Sequence, residues 1–157
     1  MKVKNVIFED FINFKFPSLF IGFPQCSFKC NLDCGRPVCQ NYLLSKDKII
    51  DVEIDDLIDN YILNPITHAV VCGGLEPFDT WEDLRTLVDK FRIYTTDPIV
   101  IYTGYTEKEI QDKIEVLKNY ENIIVKFGRF VPDKEPHMDK VLGVKLASPN
   151  QYAKEIS

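Results

Sequence analysis

Four of the five cysteines, Cys26, Cys30, Cys34 and Cys39, lie in one stretch from Phe23 to Asn41, separated by gaps of three, three and four residues. Thiolates at such staggered spacing can converge on one centre, whereas a disulfide needs only two. A metal or iron–sulfur site is therefore the leading reading. A closed structural zinc site of four cysteines is comparable on spacing alone. A cubane cluster held by three cysteines leaves one iron open to a substrate or cofactor, and a cluster held by four suits electron transfer or a structural role. The count of four candidates leaves both open.

Few other side chains compete for chemistry. Glu76 sits in Gly73-Gly74-Leu75-Glu76-Pro77, where glycines let a ligand approach the backbone closely. Arg129, in the loop Gly128-Arg129-Phe130, is equally suited to a ligand carboxylate and to a surface salt bridge. Cys72 ends an apolar run and reads as a small core residue. His68 reads as a core or rim histidine, and His137 has no pattern behind it. Trp81 and Phe91 fall at helical spacing and read as core. Asp51, Glu53, Asp55, Asp56 and Asp59 read as the solvated face and first turn of a helix. No residue is nominated as general acid or base.

The elements that must position these groups alternate along the chain. Residues 3–16 predict an irregular extension or a hairpin. Ser18–Phe23 is an apolar strand that runs straight into the cysteine segment, where Gly35 and Pro37 predict a loop. Helical spacing of Leu57, Ile58, Tyr61 and Ile62 predicts a helix over 52–62, ended at Asn64-Pro65. A second strand spans 67–72. Thr80, with Asp83 three residues on, predicts the cap of a helix whose inner face carries Trp81, Leu84, Val88 and Phe91. The pattern repeats with a strand over 98–103, a Thr106–Glu109 capping box, a helix carrying Ile110, Ile114 and Leu117 inward, and a strand over 122–127. Pro132, Pro136 and Pro149 break the tail, where no element is drawn.

Alternating strands and helices predict an α/β fold with a parallel sheet and right-handed crossovers. The loops after the strands then share one edge, where ligands of such sheets bind: the cysteine segment, Gly73–Pro77, Gly104-Tyr105-Thr106 and Gly128–Phe130. At 157 residues the chain suits one domain, 1–157. An apolar fraction of 45%, a charged fraction of 27% and a net charge of −5 without basic runs argue against nucleic acid and anionic membranes as partners. No membrane span or export signal is read, so a cytoplasmic protein with reduced thiols is expected.

Taken in order, these motifs resemble the radical S-adenosylmethionine (SAM) enzymes, and within them the activating enzymes of anaerobic (class III) ribonucleotide reductase. Cys26-Ser27-Phe28-Lys29-Cys30 is similar to the first half of the family's C-x3-C-x2-C signature. Pro37-Val38-Cys39-Gln40-Asn41 resembles the setting of its third cysteine, although the spacing departs from the pattern. The resemblance implies Cys26, Cys30 and Cys39 as cluster ligands, with Cys34 on a small insertion as the alternate third ligand. Gly73-Gly74-Leu75-Glu76-Pro77 is similar to the Gly-Gly-Glu-Pro motif, with Leu75 inserted, and implies Gly73, Gly74 and Glu76 as cofactor-binding residues. Tyr102–Thr106, which contains Gly104, Gly128–Phe130 and Ser148–Gln151 resemble further segments of the activase.

The resemblance implies a truncated β/α barrel, a [4Fe-4S] cluster and SAM as cofactors. It also implies reductive cleavage of SAM to methionine and a 5′-deoxyadenosyl radical, which takes a hydrogen atom from a glycine of the reductase large subunit. Flavodoxin or ferredoxin is the implied reductant. The alternatives are a small radical SAM enzyme acting on a small molecule, a non-catalytic zinc or redox module of four cysteines, and a decayed relative that binds the partner without chemistry.

Overall fold

The apolar runs expected as strands are rich in β-branched and aromatic residues, which suits strands buried on both faces. A computed structural model describes residues 1–157. The chain opens with β1 (Lys2–Val3), β2 (Asn5–Asp10) and β3 (Ser18–Phe23). Two short helices follow, α1 (Lys29–Cys34) and α2 (Tyr42–Lys46), then β4 (Ile50–Asp51) and α3 (Ile54–Leu63). Next come β5 (Val70–Gly74), α4 (Trp81–Tyr94), β6 (Ile99–Tyr102), α5 (Gln111–Leu117) and β7 (Ile123–Phe127). The tail forms β8 (His137–Asp139), β9 (Val144–Leu146) and β10 (Tyr152–Glu155).

Six strands form one mixed sheet in the order β10-β7-β6-β5-β3-β2. The inner four run parallel, with Leu19 opposite Val70, Val70 opposite Ile99, and Ile99 opposite Ile123. β2 and β10 add antiparallel strands at the two edges. The sheet is open and no barrel closes, because four parallel strands are too few for closure and both edges end in antiparallel strands. No helix is long and apolar enough to cross a membrane.

Strand order follows chain order from β3 to β7, so successive crossovers advance in one direction and put their helices on one face. Leu57 and Ile58 of α3, Leu84, Leu87, Val88 and Phe91 of α4, and Ile114 and Leu117 of α5 pack there. They meet Leu19, Ile21, Cys72, Ile99, Ile101, Val125 and Phe127, the alternate residues of the strands. The opposite face holds a smaller apolar cluster, including Phe14, Phe20, Val71, Val100, Ile124, Leu142 and Leu146. Residues of the N-terminal hairpin and the tail cover that face in part.

Three local expectations change. The cysteine segment is not all loop. A single short helix, α1, forms within it and stops at Gly35, whose φ of 65° ends it in the left-handed region. Thr80 holds the N-cap position of α4 but its side chain makes no capping bond: a 3-10 turn over Pro77–Thr80 leads into the helix, and the Glu76 side chain caps that turn by accepting from the Phe78 N–H at 3.2 Å. The tail holds a hairpin, β8–β9, and supplies edge strand β10. The N-terminal hairpin and the Thr106–Glu109 box are present, with the Thr106 N–H donating to Glu109 Oε2 at 2.8 Å.

Candidate iron–sulfur and cofactor site

The loops that follow the parallel strands meet at one edge, as strand direction requires, and bound a cavity of about 560 Å³. Cys26, Cys30 and Cys39 line it, together with Gly73, Gly74, Leu75, Glu76, Thr103 and Gly104. Cys34 does not. The difference arises in the local folding of the segment. Asn31 Oδ1 accepts from the Val38 and Cys39 N–H groups at 2.8 and 2.9 Å, which folds the chain back and brings Cys39 beside α1. The intervening turn, with Cys34 at the helix end, is left outside the cavity, and Arg36 pairs with Asp133 at 3.0 Å.

Two carboxylates, Asp79 and Glu76, and the Asn41 amide tie the loops together. Asp79 accepts from the Ser27 N–H at 2.6 Å and from the Tyr105 hydroxyl at 2.6 Å, joining the cysteine segment to the loop after β6. The Glu76 N–H donates to Gln25 O at 2.7 Å, and Asn41 Nδ2 donates to Gly74 O. Gly74 has a φ of 79°, and a Cβ there would lie 2.9 Å from Gly22 Cα, so only glycine fits. At Gly104 a Cβ would stand 3.6 Å from Glu76 Oε2 and 3.8 Å from Cys30 Sγ. A side chain there would take the space beside the thiol.

Glu76 is 5% exposed and fully engaged. Besides Phe78, Oε1 accepts from the Thr103 hydroxyl at 2.8 Å and Oε2 from the Gly104 N–H at 2.8 Å. Burial pushes its carboxyl up to about 7, against the pull of those hydrogen bonds. Arg129 is also engaged: it pairs with Glu109 at 2.5 Å and Asp33 at 2.9 Å, and it does not line the cavity. The Arg129 hydrogen bond holds Glu109 down at about 2.

The thiols share the cavity without forming a preformed cage, since no group of three or more His, Cys, Asp or Glu side chains stands at metal-binding spacing. Burial pushes Cys26 up to about 12 and also raises Cys30. Cys39 adds to both shifts, so its sulfur lies within electrostatic range of the other two. The Cys26 and Cys30 thiols keep their protons until a metal supplies the positive charge that releases them. The Phe28 N–H already donates to Cys26 Sγ at 3.2 Å. Three thiols, a side-chain-free flank at Gly104 and an open cavity fit a cluster with one iron left without a protein ligand.

The sequence profile of the 4Fe-4S single cluster domain matches residues 18–151, most of the chain. The chain belongs to the 4Fe-4S single cluster domain family. Searches of curated proteins and of solved structures return no match. The family match supports an iron–sulfur protein carrying a [4Fe-4S] cluster and does not support the closed zinc site.

With the family fixed, the remaining sequence readings can be placed. Cys72 is fully buried in the core under the helices, and burial raises its thiol. His68 is exposed, neither core nor cavity rim. A His137 ring nitrogen meets Gln151 O at 2.8 Å, outside the cavity. Ser148–Gln151 is a structural clasp: Gln151 Oε1 accepts from the Ala147 and Ser148 N–H groups, and Nε2 donates to Gly128 O.

Sequence reasoning missed Asn5 and Lys126, which also line the cavity, as does Tyr102 from the Tyr102–Thr106 segment. Lys126 carried a signal, because a lysine inside Ile123-Ile124-Val125-Lys126-Phe127 places a charge in a run otherwise suited to complete burial. Burial pushes its ammonium down to about 8, so it remains a cation at neutral pH.

Proposed function

We propose that the chain is a radical SAM activase that generates a glycyl radical on an anaerobic ribonucleotide reductase, acting as one domain over 1–157. The observation that carries the reading is the convergence of Cys26, Cys30 and Cys39, without Cys34, on the same cavity as the Gly73–Glu76 loop. Three ligands, and not four, are what a cluster with an open iron requires. In this reading Cys26, Cys30 and Cys39 would hold a [4Fe-4S] cluster and the Gly73–Glu76 loop would hold SAM, and together these groups would supply the one-electron chemistry that removes hydrogen from a glycine of the reductase large subunit.

The chain's own groups prepare that site. Asn31 and Asp79 hold the cysteine segment against the loops after β5 and β6. Gly73 and Gly74 present backbone to the cofactor's amino-acid end. Glu76, which accepts from Phe78, Thr103 and Gly104, acts through the loops it joins. The exposed edge of the cavity admits a protein substrate, and flavodoxin or ferredoxin is the proposed electron donor.

The test mixes reconstituted, reduced protein with SAM and the anaerobic reductase encoded by the same genome, then records the paramagnetic resonance spectrum. A doublet split by the glycine α-hydrogen, lost when that glycine is replaced by alanine, is expected. SAM cleavage without radical on the reductase would move the reading to a small-molecule substrate.

A further inference from the structure

Cys39 sits in a stretch with little apolar packing to hold it. The helix that follows, α2, is five residues long, too short to persist alone, and none of its residues is buried. Tyr42 and Leu43 are exposed. Leu44 is half-buried and covers the Gly73-Gly74 turn, since a Cβ on Gly74 would lie 3.1 Å from its Cδ2. Yet the place of Cys39 depends on this helix. Its N–H is held by Asn31 Oδ1, and its carbonyl accepts from the Tyr42 N–H, at the start of α2, at 3.3 Å.

What fixes α2 comes from the N-terminal strands. Lys4, at the bend between β1 and β2, is buried, and its ammonium donates to Ser45 O at 3.0 Å and to Asp47 O at 2.5 Å. Those carbonyls end α2, where a helix leaves acceptors unpaired and carries partial negative charge. No glycine closes this helix, since its C-cap is Asp47 in extended backbone, so the lysine takes the capping role. The Lys4 N–H donates to Gly22 O at 2.7 Å, which fixes its backbone to β3, the strand that leads to Cys26 and Cys30. One residue thus bridges the two sides of the thiol set. Both side-chain partners are neutral carbonyls, and burying an ammonium on neutral partners adds little stability. The stronger effect of the contact is on where α2 sits.

We propose that Lys4 is a positioning residue of the cluster site: by capping the carbonyl end of α2 it sets the Cys39 thiol against Cys26 and Cys30 and keeps Leu44 over the Gly73-Gly74 turn. Asn31 fixes the Cys39 amide from the side of α1, and Lys4 fixes the helix that holds its carbonyl. The inference rests on Cys39 as a cluster ligand, as read above, and does not depend on SAM cleavage.

Iron release from the cluster-loaded protein to a ferrous chelator, followed anaerobically by the loss of visible absorbance, tests the role without SAM. Lys4→Met keeps the apolar stem, Lys4→Arg keeps the charge, and the melting temperature of each metal-free variant reports its folding. Lys4→Met is expected to melt like wild type and to release iron about ten- to a hundredfold faster, the usual effect of removing a group that orients a ligand. Lys4→Arg is expected to recover part of that loss. In the metal-free protein, amide exchange at Tyr42 and Ser45 should accelerate in Lys4→Met while exchange in β5 and β6 stays as in wild type. A folded Lys4→Met protein that releases iron at the wild-type rate overturns the role. So does one that loses its cooperative unfolding transition, which would make Lys4 a residue of the fold and not of the site. Cys39→Ala separates this outcome from failure of the ligand reading. If that variant loses its iron while Lys4→Met behaves as wild type, only the positioning role falls, whereas a Cys39→Ala protein that holds its cluster removes both.

Discussion

The two faces of the central sheet are built from the same strands, yet they differ in nearly every physical respect. Under the helices, Val70, Cys72, Ile99, Ile101, Ile123, Val125 and Phe127 alternate inward with no polar side chain among them. On the other face, the residues between them run from apolar Val71, Val100 and Ile124 to Gly73, Tyr102 and Lys126 at the C-terminal edge. The helical face is sealed by Leu84, Leu87, Val88 and Phe91, while the other keeps a cavity. One face supplies stability. The other forgoes it at its C-terminal end, where glycines and a buried cation stand in place of packed side chains.

Substitutions on the two faces should therefore fail differently. The largest effect belongs to the cavity. Alanine at Cys26, Cys30 or Cys39 is expected to abolish cluster retention, read as iron per chain and visible absorbance after anaerobic reconstitution, with little change in unfolding of the metal-free protein. Cys34→Ala is expected to keep its iron. Loss of iron from the Cys34 variant and retention in the Cys39 variant would exchange their roles.

On the helical face, Phe91→Ala should cost about 3–5 kcal/mol in urea unfolding, because a fully buried ring leaves a cavity in tight packing. Equal destabilisation by Cys39→Ala would erase the contrast between the faces. Glu76→Ala lies between them. It strands three donors, from Phe78, Thr103 and Gly104, and should cost about 2–3 kcal/mol while loosening the loops around the site. Glu76→Gln should lose less, and near-equal losses would show that the carboxylate charge has no part in holding the loops.

The smallest effect is expected at exposed Glu109. Its carboxyl is held near 2 by Arg129, below the ordinary 4.5, so the pair stabilises the fold fully above pH 4.5 and loses that contribution as pH falls through 2. Glu109→Gln should cost under about 1 kcal/mol at neutral pH, with the wild-type and variant curves converging in acid. Curves that stay parallel from pH 5 to 2 would contradict the pairing.

How much of this was legible follows from the range of the interactions involved. β3 and β5–β7 announce themselves as short apolar runs, and α3–α5 by helical spacing, because both signals are local. The Thr106–Glu109 box is also local and is present. Thr80 was legible as the N-cap position of α4, but the capping bond is made earlier, by Glu76 at a preceding 3-10 turn. Strands β8–β10 are three or four residues long and depend on partners elsewhere in the fold, so their own composition says little. Which of Cys34 and Cys39 lines the cavity turns on Asn31 accepting two backbone N–H groups, which cysteine spacing does not reveal. Arg129 looked free because its partners, Asp33 and Glu109, lie far away in sequence.

The central claim is that three thiols and a glycine-lined loop form a site for reductive SAM cleavage. The most direct measurement reduces anaerobically reconstituted protein with dithionite, adds SAM, and quantifies 5′-deoxyadenosine alongside iron and zinc. A brown protein with a full [4Fe-4S] complement that releases 5′-deoxyadenosine is the predicted result. A colourless, zinc-loaded protein that releases none would contradict the account.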